Sequence, residues 1–255
     1  MCLILLSIKK HPEYKLVIAA NRDEYYDRPS APAHFWAEAP ELLAGRDLKA
    51  GGTWLGITRH GRVGMITNYR DPASIKENAP SRGRLLSRFL LTQDNPLDFL
   101  VEIQHQGDQY NGFNLIVGDQ NQLYWYSNRN GHPLPLDPGL YGLSNHLLDT
   151  PWPKVALGKN LMANLVAGKE SLAPDALFKL LEDRAIPPDE TLPDTGVGLE
   201  WERTLSPISI SSPVYGTRSS TVLLIDQQDR VTFVERTFNG NPKPISSVKH
   251  EFRLE

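Results

Sequence analysis

One cysteine is all the thiol chemistry available to this 255-residue chain. It excludes an intrachain disulfide and any zinc site built from several cysteines, and it accords with a reducing compartment. Runs of basic residues are lacking and the net charge is −3. The electrostatic footprint of a nucleic-acid binder is therefore missing. No apolar stretch approaches the roughly 18 residues of a membrane span. The first one, Cys2 to Ile8, is interrupted by Ser7 and followed, not preceded, by Lys9 and Lys10, so it reads neither as a span nor as a signal peptide. The expectation is a soluble, cytoplasmic protein with no stable membrane insertion and no nucleic-acid partner. Gly-x-Gly-x-x-Gly, phosphate-loop and His-Glu-x-x-His signatures are absent. None of the seven histidines lies three or four residues from another. No metal and no cofactor are expected on these grounds. Gly142-Leu143-Ser144-Asn145-His146 begins like a serine nucleophile elbow but lacks the closing glycine.

What is present is ordinary globular material: 40% hydrophobic and 22% charged residues, with 19 glycines and 20 prolines. That many turn formers suits short strands better than a helical bundle. Cys2–Ile8 and Lys15–Ala20 predict an N-terminal hairpin, its second strand ended by Asn21-Arg22-Asp23-Glu24. Residues 27–50, rich in Pro and Ala, read as a long surface loop. Strands are expected at 53–58, 62–68, 112–117, 122–127 and 141–144, and a hairpin at 220–225 and 230–236. Helical spacing appears over 82–92, after Asn95-Pro96, over 154–166 and over 174–183. Residues 184–200 read as loop. Helices fall between groups of strands, not in βαβ alternation. This predicts an α+β domain of antiparallel sheets with helices packed outside, one domain over 1–255.

The position of the lone cysteine carries chemistry. Removal of Met1 leaves a thiol and a free α-amine on one residue, with ordinary pKa values of about 8.5 and about 7.7–8.0. The amine then serves as the base that an activated nucleophile needs. Asp23, expected near Cys2 across the hairpin, can orient the amine; its plainer role is a surface ion pair with Arg22 or Arg28. Arg22 or Arg218 can lower the thiol pKa, although the plainer role of Arg218, and the one that sequence alone favours, is a solvated loop charge. Asn68 and Asn145 end apolar strands, where a side-chain amide can hold an oxyanion or simply cap a turn. Cys2 itself fits a buried strand residue as well as a nucleophile. Trp54, Tyr69, Trp125 and Trp152 suit an apolar acyl pocket or the core.

Several ordered blocks resemble one family. They are Asn21-Arg22-Asp23-Glu24 after a Met-Cys strand, Gly51-Gly52-Thr53-Trp54-Leu55-Gly56, Thr67-Asn68-Tyr69-Arg70, Ser81-Arg82-Gly83, Gly112 to Asp119, and Gly142-Leu143-Ser144-Asn145 with Asp149-Thr150-Pro151-Trp152-Pro153-Lys154. With the Arg218 segment they span nearly the whole chain and resemble the NRDE family, also called the transport and Golgi organisation protein 2 family. That family is similar to N-terminal nucleophile (Ntn) hydrolases, which implies a four-layer αββα sandwich. The cholylglycine hydrolase and penicillin V acylase branch implies catalytic counterparts in Cys2, Asp23, Asn68, Asn145 and Arg218. Its Arg-Asn-x-Asp order differs from Asn21-Arg22-Asp23, so Arg22 stands as a candidate without a matched position. The implied activity is cleavage of a linear amide bond in a small acyl-amide or lipid-like ligand. The alternative implied by the resemblance is a non-catalytic haem or lipid carrier in trafficking, with Cys2 touching the ligand.

Overall fold

The computed structural model describes residues 2–168 and 170–255. Strands β1 (Cys2–Ile8) and β2 (Tyr14–Tyr25) form the expected N-terminal hairpin. Next come β3 (Ser30–Trp36), β4 (Ala39–Asp47), β5 (Leu55–Thr58) and β6 (Val63–Asn68). Helices α1 (Arg82–Leu91) and α2 (Pro96–Gln106) precede β7 (Phe113–Gly118), β8 (Leu123–Ser127), β9 (Leu134–Leu136) and β10 (Gly139–Leu143). Helices α3 (Pro153–Val166), α4 (Pro174–Leu181) and α5 (Leu199–Leu205) lead to β11 (Tyr215–Asp226), β12 (Arg230–Thr237) and β13 (Ser246–Arg253). The class is α+β: two antiparallel sheets, ordered β10-β1-β2-β11-β12-β13 and β3-β4-β5-β6-β7-β8-β9. Among the described residues no helix is long and apolar enough to cross a membrane.

The chain divides into two compact units, each with its own sheet. The first comprises Met1–Asp27, Pro138–Ser144 and Leu148–Phe252. Period-2 alternation sends Leu3, Leu5, Val17, Ala19, Val222 and Leu224 to one face of its sheet. There they meet Val155 and Met162 of α3 and Leu177 and Phe178 of α4 in one apolar core. The second comprises Arg28–Asp137, Asn145–Leu147 and Arg253–Glu255. Its core joins Leu42, Ala44, Leu115 and Val117 to Leu86, Phe89 and Leu90 of α1 and Phe99, Leu100 and Ile103 of α2. Asn95 caps α2 as expected, accepting from the backbone N–H of Leu97 and Asp98.

Several sequence expectations need correction. Residues 27–50 are not a loop but contain β3 and β4. Pro32 hides β3 from a reading by composition, yet β3 is the edge strand and its register slips between Ala31 and His34. A proline, which cannot donate to the ladder, is tolerated at such a place. Asn21 to Glu24 do not end β2, which runs on to Tyr25. Their polar side chains find partners inside the fold, so burial does not halt the strand. Residues 184–200 hold the start of α5, and β9 and β13 are additional edge strands.

Candidate active site

In the first unit, the register of β1 and β2 sets Cys2 directly opposite Arg22, which in turn stands opposite Ser219 of β11. Cys2 is half-buried, and its carbonyl accepts the Ser144 hydroxyl at 2.9 Å. This bond ties the start of β1 to the end of β10. Burial pushes the Cys2 thiol above its ordinary pKa; the Asp23 charge adds to the rise and the Arg22 guanidinium opposes it. Arg22 is buried and its Nη2 lies 3.9 Å from Glu24 Oε2. Arg22 and Asp23 therefore form no surface pair of the plain kind.

Asp23 is only 2% exposed. Its Oδ1 accepts the Thr217 hydroxyl at 2.7 Å, and Thr217 Oγ1 accepts the Ile210 N–H at 2.9 Å. The Ile210 bond occupies the hydroxyl as acceptor, so its single proton points at Asp23. Tyr215 fixes the backbone of the same residue, its hydroxyl donating to the Asp23 carbonyl at 3.0 Å. Burial pushes the Asp23 carboxyl above the ordinary range. The Lys154 ammonium is the first of the neighbouring charges drawing it back, and the Thr217 bond works the same way.

Asn21, two residues earlier, lies on the same face of β2 as Asp23. Its Oδ1 accepts from Ser220 at 2.6 Å, and its Nδ2 donates to the Leu181 and Ile208 carbonyls, both at 2.9 Å. Asn21 is thus a strut between β2, the end of α4 and the segment ahead of β11. The β2–β11 register slips between Thr217 and Ser219, so residue 218 is a bulge. Arg218 at this bulge donates to the carbonyls of Phe238 at 3.2 Å, Tyr25 at 2.9 Å and Tyr26 at 2.8 Å. It clamps the ends of β2 and β12 and is not a solvated loop charge. Burial, with Arg22 nearby, holds its pKa below the usual arginine value.

In the second unit, Asn68 and Asn145 come together: Asn145 Nδ2 donates to the Asn68 carbonyl at 2.8 Å, and the Arg70 N–H donates to the Asn145 carbonyl at 2.7 Å. Asn145 is fully buried and Asn68 half-buried. Asn114 braces both neighbours, donating to Thr67 Oγ1 at 3.2 Å and to the His146 carbonyl at 2.9 Å, and its Oδ1 accepts from Trp125 Nε1 at 3.3 Å. Of the four aromatics, Trp152 sits in the first unit's core and Trp54 packs against the second's. Trp125 is buried and Tyr69 stacks at 4.9 Å on His146. The structure thus gathers Cys2, Arg22, Asp23 and Arg218 in one unit and joins Asn68 to Asn145 in the other.

Sequence reasoning gave no site role to Asn114, Ser144, Lys154 or Thr217. The first three sit inside the ordered blocks already quoted, and that was the available signal. Thr217 had none beyond its place beside Arg218. The glycines of two other blocks answer to packing. A Cβ on Gly52 would lie 2.4 Å from the Gly83 carbonyl carbon, where Thr53 N–H donates to Gly83 O at 3.2 Å.

A family model described as "Transport and Golgi organisation 2" matches residues 1–240. The "Transport and Golgi organization protein 2 homolog" of Bos taurus is 39% identical over 276 residues, covering 100% of both chains. The Homo sapiens homolog is 39% identical, covering 93% of each. Among solved structures, the C2A mutant of the conjugated bile acid hydrolase from Clostridium perfringens aligns with a TM-score of 0.53 at 9% identity, covering 100% of this chain and 98% of that one. A Caenorhabditis elegans N-acylethanolamine-hydrolyzing acid amidase ortholog aligns at 0.50 with 11% identity, covering 88% and 92%. These likenesses show an Ntn-hydrolase-like fold.

Proposed function

This chain belongs to the Transport and Golgi organisation 2 family, and from that membership and the surroundings of Cys2 we propose that it is an N-terminal cysteine hydrolase of linear amide bonds. The observation that carries the reading is the buried Asp23 beside the start of β1, with Thr217 donating to one of its oxygens. A buried carboxyl costs folding energy unless it serves a partner. The free amine of Cys2 after loss of Met1 is the partner we assign. Met1 lies outside the described residues. By their printed names the solved neighbours hydrolyse conjugated bile acid and N-acylethanolamine. A small acyl-amide substrate follows for this chain as part of the proposal.

In the proposed reaction the Cys2 amine takes the thiol proton and the sulfur attacks the amide carbonyl carbon. Asp23 orients the amine by accepting its N–H. Arg22, opposite Cys2, favours the thiolate against the burial that disfavours it. Asn68 and Asn145 carry side-chain amides of the kind that holds an oxyanion, the role that the family resemblance gives them. The amine returns the proton to the leaving nitrogen as the C–N bond breaks, leaving a thioester on Cys2. Water then attacks the thioester and releases the acid. Arg218 acts at one remove, by clamping the strand ends.

Intact-mass measurement of the native protein, with and without a thiol-reactive acyl probe, tests this. The expected result is loss of Met1 and a single label on Cys2, with labelling near neutral pH slowed roughly 100-fold or more in D23N. A retained Met1 with an unlabelled Cys2 would remove the enzyme reading.

A further inference from the structure

Lys154 belongs to the first turn of α3 and is 3% exposed. A helix start carries partial positive charge, so a lysine there stands against the dipole. No acidic residue lies in that first turn, and Trp152 provides no side-chain cap. The negative charge that makes a buried ammonium tolerable must come from outside the helix. Helix α3 packs on β1 and β10, with Leu3, Leu5 and Val155 in one core. Register puts Leu3 opposite Asn21, so Asn21 and Asp23 share this helix-covered face of the sheet.

We propose that Lys154 is a positioning residue: its buried ammonium, delivered by α3, anchors the Asp23 carboxylate as an anion ready to receive the Cys2 amine. This rests on the reading of function above. The charged side chains acting on Asp23 are Lys154 from α3 and Arg22 from β2, with the Cys2 thiol beside it on β1. Lys154 stands ahead of Arg22, and both oppose a desolvation that favours the neutral acid. A neutral carboxyl would offer no ion pair to the ammonium formed when the amine takes the thiol proton. Lys154 touches neither substrate nor sulfur in this scheme.

The test is the Asp23 carboxyl midpoint, followed by carbon-13 NMR in the full-length wild type, K154M, K154Q and K154R. The midpoint is expected to rise by roughly 1–3 pH units in the two neutral variants and to stay near wild type in K154R. The acid limb of Cys2 alkylation should rise with it, and in a D23N background the Lys154 substitutions should no longer move that limb. An unmoved midpoint in a folded neutral variant overturns the proposal. If neither neutral variant folds, the wild type decides. A Lys154 Nζ resonance that changes with the Asp23 protonation step supports the pairing, and one that ignores it refutes the pairing. A wild type that keeps Met1 and leaves Cys2 unlabelled defeats the functional reading instead. Normal labelling with an Asp23 indifferent to residue 154 defeats this inference alone.

Discussion

Asp23 and Lys154 are both buried in one unit, and the cost of substituting either depends on what the other is left facing. D23N takes the carboxyl away from the buried Lys154 and should cost about 3–5 kcal/mol, whereas K154M leaves Asp23 beside Arg22 and able to take up a proton, and should cost less. D23N combined with K154M removes both charges and should recover most of that loss, read from urea unfolding of the four chains. The sign of the pH effect follows from burial, which raises the Asp23 carboxyl. Between the ordinary carboxylate range and its higher native midpoint, the folded chain keeps a proton that the unfolded chain has released. The stability contributed by this group therefore falls as pH rises through that window, and the D23N/K154M chain should lose this dependence. A wild type whose urea midpoint rises instead over the same window, relative to the double variant, contradicts the assignment. Cys2, Arg22 and Asp23 were legible in the sequence because a hairpin makes near neighbours of residues 2 and 22. Lys154 was not, since nothing in a sequence distinguishes a buried lysine from the exposed majority.

Elements with a clear period could be read in advance, and those with mixed signals could not. The spacing of Leu85, Leu86, Phe89 and Leu90 announces α1, and these side chains enter the second unit's core. Phe89, fully buried and 5.2 Å from the Phe99 ring, should cost about 3–5 kcal/mol on truncation to alanine. Strands β3 and β4 escaped because proline and alanine depress strand propensity, while the edge position of β3 and the register slips of the β3–β4 pair remove the penalty. The pairing of Asn68 with Asn145 escaped for a different reason. It joins segments 77 residues apart, and no local pattern encodes such a meeting. The Gly52–Gly83 approach is equally long in range, yet it left a visible mark as paired glycine motifs. G52A drives a methyl into the Gly83 backbone and should lower stability by about 1–3 kcal/mol, measurable as a lower denaturation midpoint. An unchanged midpoint would mean that this contact yields without cost.

At the scale of the molecule, the two units differ in how far along the chain they reach. The meander of β5 to β8 pairs neighbours, whereas β2 pairs with β11 across some 200 residues, as Ala20 with Thr221. Loop closure must be met before that second pairing can form. During refolding, amide protection across the β6–β7 ladder should therefore precede protection across the β2–β11 ladder. Pulse-labelling hydrogen exchange checks the order, and earlier protection of the amides bonded between β2 and β11 would refute it. The α+β class was legible from element order, and the division into two units was not, because the composition is uniform. The bulge at residue 218 has its own consequence. Thr217 and Ser220 are three apart on β11, yet both hydroxyls reach the same side of β2, at Asp23 and Asn21. A flat strand would send them to opposite sides, so the extra residue restores parity. Position 218 is thus where this strand can gain or shed one link while its two hydroxyls keep their phase: a built-in expansion joint that evolution can use without dismantling what stands on either side.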